Sequence, residues 1–182
     1  MKYCSTCGAR VRLRIPPGDT LPRFVCEGCD TIHYQNPKMV VGCIPEWEDQ
    51  ILLCRRAIEP RHGLWTIPAG FMEQNETLEQ AAARETMEEA KALVEISTLY
   101  AVFSLPSVSQ VYVIFRGTMH TPEFGVGQES LEVRLVKQQE IPWTDLAFQV
   151  IHEVLKRYYE DSNRGQFEVH VGTVESHRIH PS

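Results

Sequence analysis

Residues 70–92 read GFMEQNETLEQAAARETMEEAKA, and this stretch decides how the rest of the chain is interpreted. Thr77 is followed three residues later by Gln80, a capping-box pattern that predicts the start of a helix continuing to about Ala90. One face of that helix is apolar in its first half and acidic in its second half. The stretch therefore predicts an amphipathic helix that ends in a cluster of carboxylates.

Three glutamates form the acidic part of that face. Glu85, Glu88 and Glu89 stand at positions i, i+3 and i+4, so one helical turn brings their side chains together. Like charges at this spacing repel by about 0.2–0.5 kcal/mol, and carboxylates near a helix C-terminus oppose its dipole by about 0.3–1 kcal/mol each. A divalent cation would reverse the sign, and oxygen ligands favour Mg²⁺ or Mn²⁺ over Zn²⁺. The triplet alone also fits a solvated acidic patch.

The residues around the triplet stand at fixed offsets. Gly70 is followed after five residues by Glu76, and seven further residues lead to the hexapeptide RETMEE at 84–89. This pattern resembles the Nudix box, in which Gly, five residues, Glu and seven residues precede Arg-Glu-x-x-Glu-Glu-x-Gly. The segment WTIPAG at 65–70 is similar to the approach loop of the same family. On these positions, the sequence resembles the Nudix hydrolases.

One position departs from the box, because Lys91 stands where the family has Gly. A glycine at that point is typical of a helix that ends in a left-handed conformation. We therefore expect either a cost of about 1 kcal/mol at Lys91 or a different end to the helix.

The resemblance implies an α/β fold, a Nudix α/β/α sandwich with a mixed sheet. It also implies that Mg²⁺ (or Mn²⁺) is held by the three glutamates and the backbone carbonyl of Ala69, where the metal would clamp a diphosphate and activate a water. Arg84 would belong to the catalytic centre and pair with Glu76 to orient the ligands. Glu129 is expected as a further metal ligand or general base, with an ordinary surface glutamate as the alternative. Glu132 is a weaker candidate for the same role.

Two Cys-x-x-Cys pairs near the N-terminus predict a second metal site. Cys4, Cys7, Cys26 and Cys29 can surround Zn²⁺ tetrahedrally. Four protein ligands leave no open position, so we expect this zinc to be structural. The alternatives are redox dithiols and disulfides, and disulfides do not suit the cytoplasmic location that we expect.

The chain is predicted to have two domains, a zinc ribbon at residues 1–34 and a Nudix hydrolase domain at residues 35–182. The ribbon has few large apolar residues, so we expect it to need the bound metal to stabilise its fold. In the second domain, we predict a long functional loop at 60–72 and a final helix from Thr144 or Asp145 to about Tyr159. Strands are predicted at 38–44, 50–55, 99–105, 110–116, 131–136 and 167–171.

Composition excludes several classes of protein. The sequence has no stretch of about 18 apolar residues, so we predict no membrane helix. The N-terminus lacks the apolar run of a signal peptide. The formal net charge of −6 argues against nucleic-acid binding over the surface as a whole. The basic residues of the ribbon leave nucleic-acid binding there as an alternative, and a homodimer is a further candidate assembly.

An acidic protein needs local cations to bind a phosphorylated ligand. Arg55 and Arg56 flank the approach loop, together with Arg61, and could meet phosphate charge. Trp65 and Phe71 could stack on an adenine or flavin ring, with core packing as the alternative.

Within the family, the sequence resembles the zinc-ribbon branch and is most similar to its FAD and ADP-ribose diphosphatases. The signature Ser-Gln-Pro-Trp-Pro-Phe-Pro of the NADH pyrophosphatases is absent after the box. The resemblance implies cleavage of FAD or ADP-ribose into AMP and the other phosphate half. The alternatives are an NAD(H) or NAD-capped RNA pyrophosphatase and, in another class, a non-catalytic nucleotide-sensing or nucleic-acid-binding protein.

Overall fold

The computed structural model describes residues 1–175 of the chain. The chain divides into two compact units, Met1–Pro37 and a second unit that begins at Lys38. The predicted domain boundary at 34/35 stays a prediction, although it lies close to this division.

The first unit is a small antiparallel sheet. Its strands are β1 (Val11–Arg14), β2 (Arg23–Cys26) and β3 (Ile32–His33), in the order β1-β2-β3. This unit has few buried apolar side chains. They include Val25, in addition to the buried cysteines Cys4 and Cys26. A core this small does not stabilise a fold by itself, so the sulfur cluster described below is the main source of order.

The second unit is built on one mixed sheet. Its central strands run in the order β10-β5-β4-β9-β8-β11, with the two short strands β6 and β7 paired to β5 and β4. The β4/β9 and β8/β11 pairs are parallel and the other pairs are antiparallel. The strands are β4 (Lys38–Trp47), β5 (Gln50–Arg56), β6 (Trp65–Thr66), β7 (Ala69–Phe71), β8 (Val94–Leu105), β9 (Gln110–Met119), β10 (Ser130–Val136) and β11 (His170–Thr173); the helices are α1 (Leu78–Ala90) and α2 (Gln149–Arg164).

Alternation along the central strands gives the sheet two apolar faces. On β4, Val40 and Ile44 belong to the cluster that packs against α2, whereas Val41 and Cys43 belong to the cluster that packs against α1. Both faces are thus covered by a helix, and the predicted α/β/α sandwich with a mixed sheet is confirmed.

Helix α1 begins as the sequence predicts. Thr77 is its N-cap, and the full capping box with Gln80 is present. The helix ends at Lys91, which adopts a left-handed conformation with φ 51° and donates its backbone N–H to the Met87 carbonyl. Lys91 therefore occupies the left-handed conformation that the family's glycine favours. The helix ends where the box predicts, at an expected cost of about 1 kcal/mol.

Three predicted elements differ from the structure. Helix α2 starts at Gln149 and not at Thr144 or Asp145, because the chain first pairs with β6 through the Ala147 N–H and the Trp65 carbonyl, 2.8 Å apart. The predicted loop at 60–72 contains β6 and β7, and the predicted strand at 167–171 lies later, as β11. In each case, pairing with distant strands decides the outcome.

The buried carboxylate of Asp161 links the end of α2 to the sheet through hydrogen bonds. Asp161 is fully buried, accepts a 3.0 Å hydrogen bond from the Tyr100 hydroxyl and contacts the Arg164 guanidinium. His170 Nε2 lies 2.7 Å from the same carboxylate. Burial opposes its ionised form, but the hydrogen bonds from His170, Arg164 and Tyr100 outweigh burial and lower the pKa of Asp161 to about 2.

We expect Asp161→Ala to lower the free energy of unfolding by about 3–5 kcal/mol, because it leaves buried partners unpaired. Since the folded pKa lies below the unfolded value of about 3.9, the stabilisation is present above pH 4 and is lost as the pH falls toward 2. Urea unfolding at pH 7 and pH 2.5 measures both effects. The exposed neighbour Glu160→Ala is the control, and equal stability of the two variants at pH 7 would contradict this role.

Candidate active site

A cavity of about 1220 Å³ lies in the second unit beside α1. The part lined by the glutamates of α1 is its acidic end. The lining also includes residues 58–61 and the aromatic residues Tyr112, Trp143 and Phe148. The volume is somewhat larger than the range of about 300–1,000 Å³ of most small-molecule sites, so it is sufficient for a ligand the size of a dinucleotide.

Arg84 organises the acidic end of this cavity. Its Nε and Nη2 donate to the two carboxylate oxygens of Glu76 at 2.9 and 2.8 Å. Its Nη1 lies 2.7 Å from a Glu85 oxygen and 3.0 Å from a Glu88 oxygen, and Nη2 also donates to the Phe71 carbonyl. The guanidinium and the Glu73 N–H lower the pKa of Glu76 to about 2, so this carboxylate stays ionised.

Two glutamates of α1 are buried beneath the cavity. Burial raises the pKa of Glu85, and burial with the nearby charge of Glu85 raises the pKa of Glu89 to about 8. The Ala69 N–H donates to Glu89 at 3.3 Å. A Cβ at Gly70 would lie 2.3 Å from a Glu85 oxygen, so any other residue there would displace this carboxylate. Glycine thus lets the backbone of β7 lie against Glu85 in its observed position.

The donor set suits a hard divalent cation. Glu85, Glu88, Glu89 and the Ala69 backbone line the same cavity and supply oxygen ligands, and the pKa shifts record mutual repulsion and burial that a cation would relieve. Among residues 1–175, oxygens of these three glutamates do not all lie within 4.8 Å of one another. Arg84 contacts Glu85 and Glu88, and the Ala69 N–H contacts Glu89. The residues fit Mg²⁺ or Mn²⁺ in chemistry.

Glu129 also lines this cavity and is exposed. Its charge contributes to the raised pKa of both Glu85 and Glu89, so it lies within electrostatic reach of them. Glu132, in contrast, lies beside Arg55 and Arg134 and does not line the cavity.

The four predicted ligand-binding residues separate into two groups. Arg56 and Phe71 line the cavity, and the Arg56 guanidinium lies over the Phe148 ring at 5.1 Å. Arg55 does not line it; its Nε donates to the Gly63 carbonyl at 2.8 Å, since successive residues of a strand point to opposite faces. Trp65 is buried in the core, where packing takes the place of ligand stacking.

Sequence reasoning missed most of the aromatic wall. Tyr112 lies in β9, Phe148 caps α2, and Trp143 packs edge-on against His152 with ring centroids 5.1 Å apart. None of these residues belongs to the box or to its approach loop. Only the path of the chain brings them to the cavity.

The four cysteines of the first unit form a compact cluster. Their sulfur atoms all lie within 4.8 Å of one another, with Cys4–Cys29 at 3.8 Å and Cys7–Cys26 at 3.4 Å. Tetrahedral zinc with bonds of about 2.3 Å places sulfurs about 3.8 Å apart, so these residues fit zinc. His33 Nε2 lies 3.3 Å from the Cys4 sulfur and supports that ligand without being needed as a fifth.

Family comparison agrees with both sites. The model of the NUDIX domain matches residues 36–158, and that of the Nudix N-terminal zinc ribbon matches residues 2–35. The chain belongs to the Nudix family. Nudix domains use Mg²⁺ or Mn²⁺, and the ribbon with its four-cysteine cluster binds Zn²⁺. Within residues 1–175, no helix is long and apolar enough to cross a membrane.

The chain is similar to relatives that have two different named activities. It is similar to the NAD-capped RNA hydrolase NudC of Photobacterium profundum, with 31% identity over 77% of this chain and 51% of that protein. It is also similar to the ADP-ribose pyrophosphatase of Methanocaldococcus jannaschii, with 30% identity over 71% of this chain and 78% of that one. The chain spans about half or less of the length of the NudC relatives.

A solved structure is similar over nearly the whole chain. The crystal structure of a NUDIX hydrolase from Nitrosomonas europaea has 62% identity and a TM-score of 0.94, covering 97% of this chain and 100% of that one. An ADP-ribose pyrophosphatase from Streptococcus suis, with 20% identity, a TM-score of 0.58 and coverage of 75% and 99%, is similar in fold alone.

We expect one zinc ion per chain, and we expect Cys26→Ser to abolish it, because a three-thiolate site loses the closed tetrahedral geometry. Elemental analysis after gel filtration measures the metal. Cys54→Ser, a buried cysteine outside the cluster, is the control for substitution as such. Full zinc content in Cys26→Ser would contradict the assignment of the ligands.

Proposed function

We propose that the chain hydrolyses the diphosphate linkage of a nucleoside-diphosphate derivative, with ADP-ribose or FAD as substrate and AMP as one product. The observation that supports this most is the cavity, which joins carboxylates for a divalent cation to an aromatic wall suited to a ring. A purely electrostatic phosphate site would not need that wall.

The metal-binding residues would be Glu85, Glu88 and Glu89 with the Ala69 carbonyl. When bound there, a divalent cation supplies charge neutralisation of the diphosphate and lowers the pKa of a water. Arg84 holds two of these carboxylates in place through the contacts described above. Each of these residue roles is part of the proposal.

Glu129 is proposed as the general base that accepts the proton of the attacking water. It lines the cavity and lies close enough to influence the pKa of the α1 glutamates. Phe71 is proposed to stack on a ring of the substrate, and it is 49% exposed beside the acidic end. Arg56, which also lines the cavity, would contribute positive charge.

ADP-ribose is favoured by the relative from Methanocaldococcus jannaschii, which this chain matches over most of the length of both proteins. The second candidate is an NAD(H) or NAD-capped RNA pyrophosphatase, which the NudC relatives favour. The homodimer and the cytoplasmic location expected from the sequence stay predictions.

The substrate proposal is tested by chromatographic analysis of the products formed from ADP-ribose, FAD, NADH and nucleoside triphosphates, each with Mg²⁺ and with no divalent cation. We expect Mg²⁺-dependent release of AMP from ADP-ribose or FAD at a higher kcat/KM than from NADH. Preference for NADH would select the second candidate. The absence of turnover on every compound would overturn the enzymatic proposal.

We expect Glu129→Gln to lower kcat by about two orders of magnitude or more, because proton transfer then lacks its acceptor. The measurement is the kcat on the best substrate, with circular dichroism to check folding. Glu132→Gln, at the nearby position outside the cavity, is the matched control. A kcat for Glu129→Gln equal to that of the control would remove Glu129 from the mechanism.

A further inference from the structure

Two basic residues of the cavity adopt a backbone conformation that disfavours them. Arg61 has φ 69° and Lys91 has φ 51°, and both line the cavity. Positive φ occurs in only a few per cent of residues other than glycine, and asparagine and aspartate are the usual exceptions. Two long cationic side chains in this conformation at one cavity call for an explanation beyond the local backbone.

The fold does not explain the side chain of Lys91. Its structural contribution to α1 is a backbone hydrogen bond to the Met87 carbonyl, which glycine would make equally well. The last carbonyls of the helix are further satisfied by the amides of Gly125 and Gly127, at 2.7 and 3.0 Å. The Lys91 side chain is exposed, so burial does not offset its conformational cost either.

The other two basic residues of the cavity are already engaged. Arg84 binds Glu76, Glu85 and Glu88, as described above. Arg56 donates to the Pro60 carbonyl at 3.0 Å and lies over an aromatic ring. Within the described part of the chain, in contrast, the side chains of Lys91 and Arg61 make no hydrogen bond or ion pair.

The charge of the cavity makes unengaged cations useful. Of the described residues that line it, six are glutamates and four are arginines or lysines. A diphosphate is itself an anion, so an acidic lining repels it unless local cations face it. An ammonium group on a flexible stem suits this task, because it reaches phosphate oxygens without a fixed approach geometry.

We propose that Lys91, assisted by Arg61, binds the phosphate oxygens of the nucleoside diphosphate and sets the affinity for the substrate. This inference rests on the proposed function and assigns a binding role to the position at which the chain departs from the Nudix box. Lys91 thereby lowers the stability of the helix end and strengthens ligand binding.

Lys91→Gly tests both consequences at once. We expect its melting temperature to rise by about 2–4 °C, since glycine adopts the left-handed conformation without strain. We also expect its KM for ADP-ribose or FAD to rise about tenfold, with the loss in KM and not in kcat. A residue that acts only in the fold would change the melting temperature and leave KM as it was.

Matched variants separate charge from backbone. Lys91→Arg should retain a KM near that of the wild type, whereas Lys91→Asn, which tolerates positive φ, should resemble Lys91→Gly in KM. Lys156→Gln removes an exposed lysine of α2 that does not line the cavity, and its KM should equal that of the wild type. A KM for Lys91→Gly within twofold of Lys156→Gln would overturn the inference.

Calorimetric binding of ADP, without added Mg²⁺, distinguishes failure of this inference from failure of the proposed function. If the wild type hydrolyses none of the substrates but binds ADP about tenfold more tightly than Lys91→Gly, the binding role stands and the proposed reaction fails. Equal binding of ADP by the two proteins, or none by the wild type, would overturn the binding role.

Discussion

The acidic end of the cavity depends on one guanidinium. Arg84 makes two parallel hydrogen bonds to Glu76, bridges Glu85 and Glu88, and binds the Phe71 carbonyl. It therefore joins the loop before α1, the helix itself and strand β7 into one unit. A planar fork with several donors is needed for this, and a lysine ammonium could not reproduce it. Without that charge, the carboxylates of the helix would repel one another in a partly buried site.

Close backbone approach is the second constraint on α1. A Cβ at Gly70 would overlap the Glu85 carboxylate, and a Cβ at Gly127 would lie 1.9 Å from the Glu88 carbonyl oxygen. The two glycines thus let separate segments meet the helix, one beside its carboxylates and the other at its C-terminal end. Because amides from the loop around Gly127 satisfy the last carbonyls, the helix can end on Lys91 in place of a glycine.

The features that short-range geometry governs could be predicted from the sequence. The cap at Thr77 and the shared face of Glu85 and Glu89 follow from helical periodicity over a few residues. The cluster of Cys4 with its three partners follows from two short knuckles whose chemistry leaves few alternatives. The cap and the shared face depend on neighbours that are close along the chain. The two cysteine pairs are far apart along the chain, but the preference of four thiolates for one zinc ion predicts that they meet.

Taken by itself, the sequence determined the family, the acidic helix and the two cysteine pairs that form one cluster. Only the tertiary structure decided which flanking residues reach the ligand. Arg56 lines the cavity while Arg55 points away, and Phe71 is exposed while Trp65 enters the core. These outcomes depend on which face of a strand is covered and on what lies opposite it. Likewise, Phe148 reaches the cavity because the preceding chain pairs with β6 before α2 begins, a contact between segments about 80 residues apart.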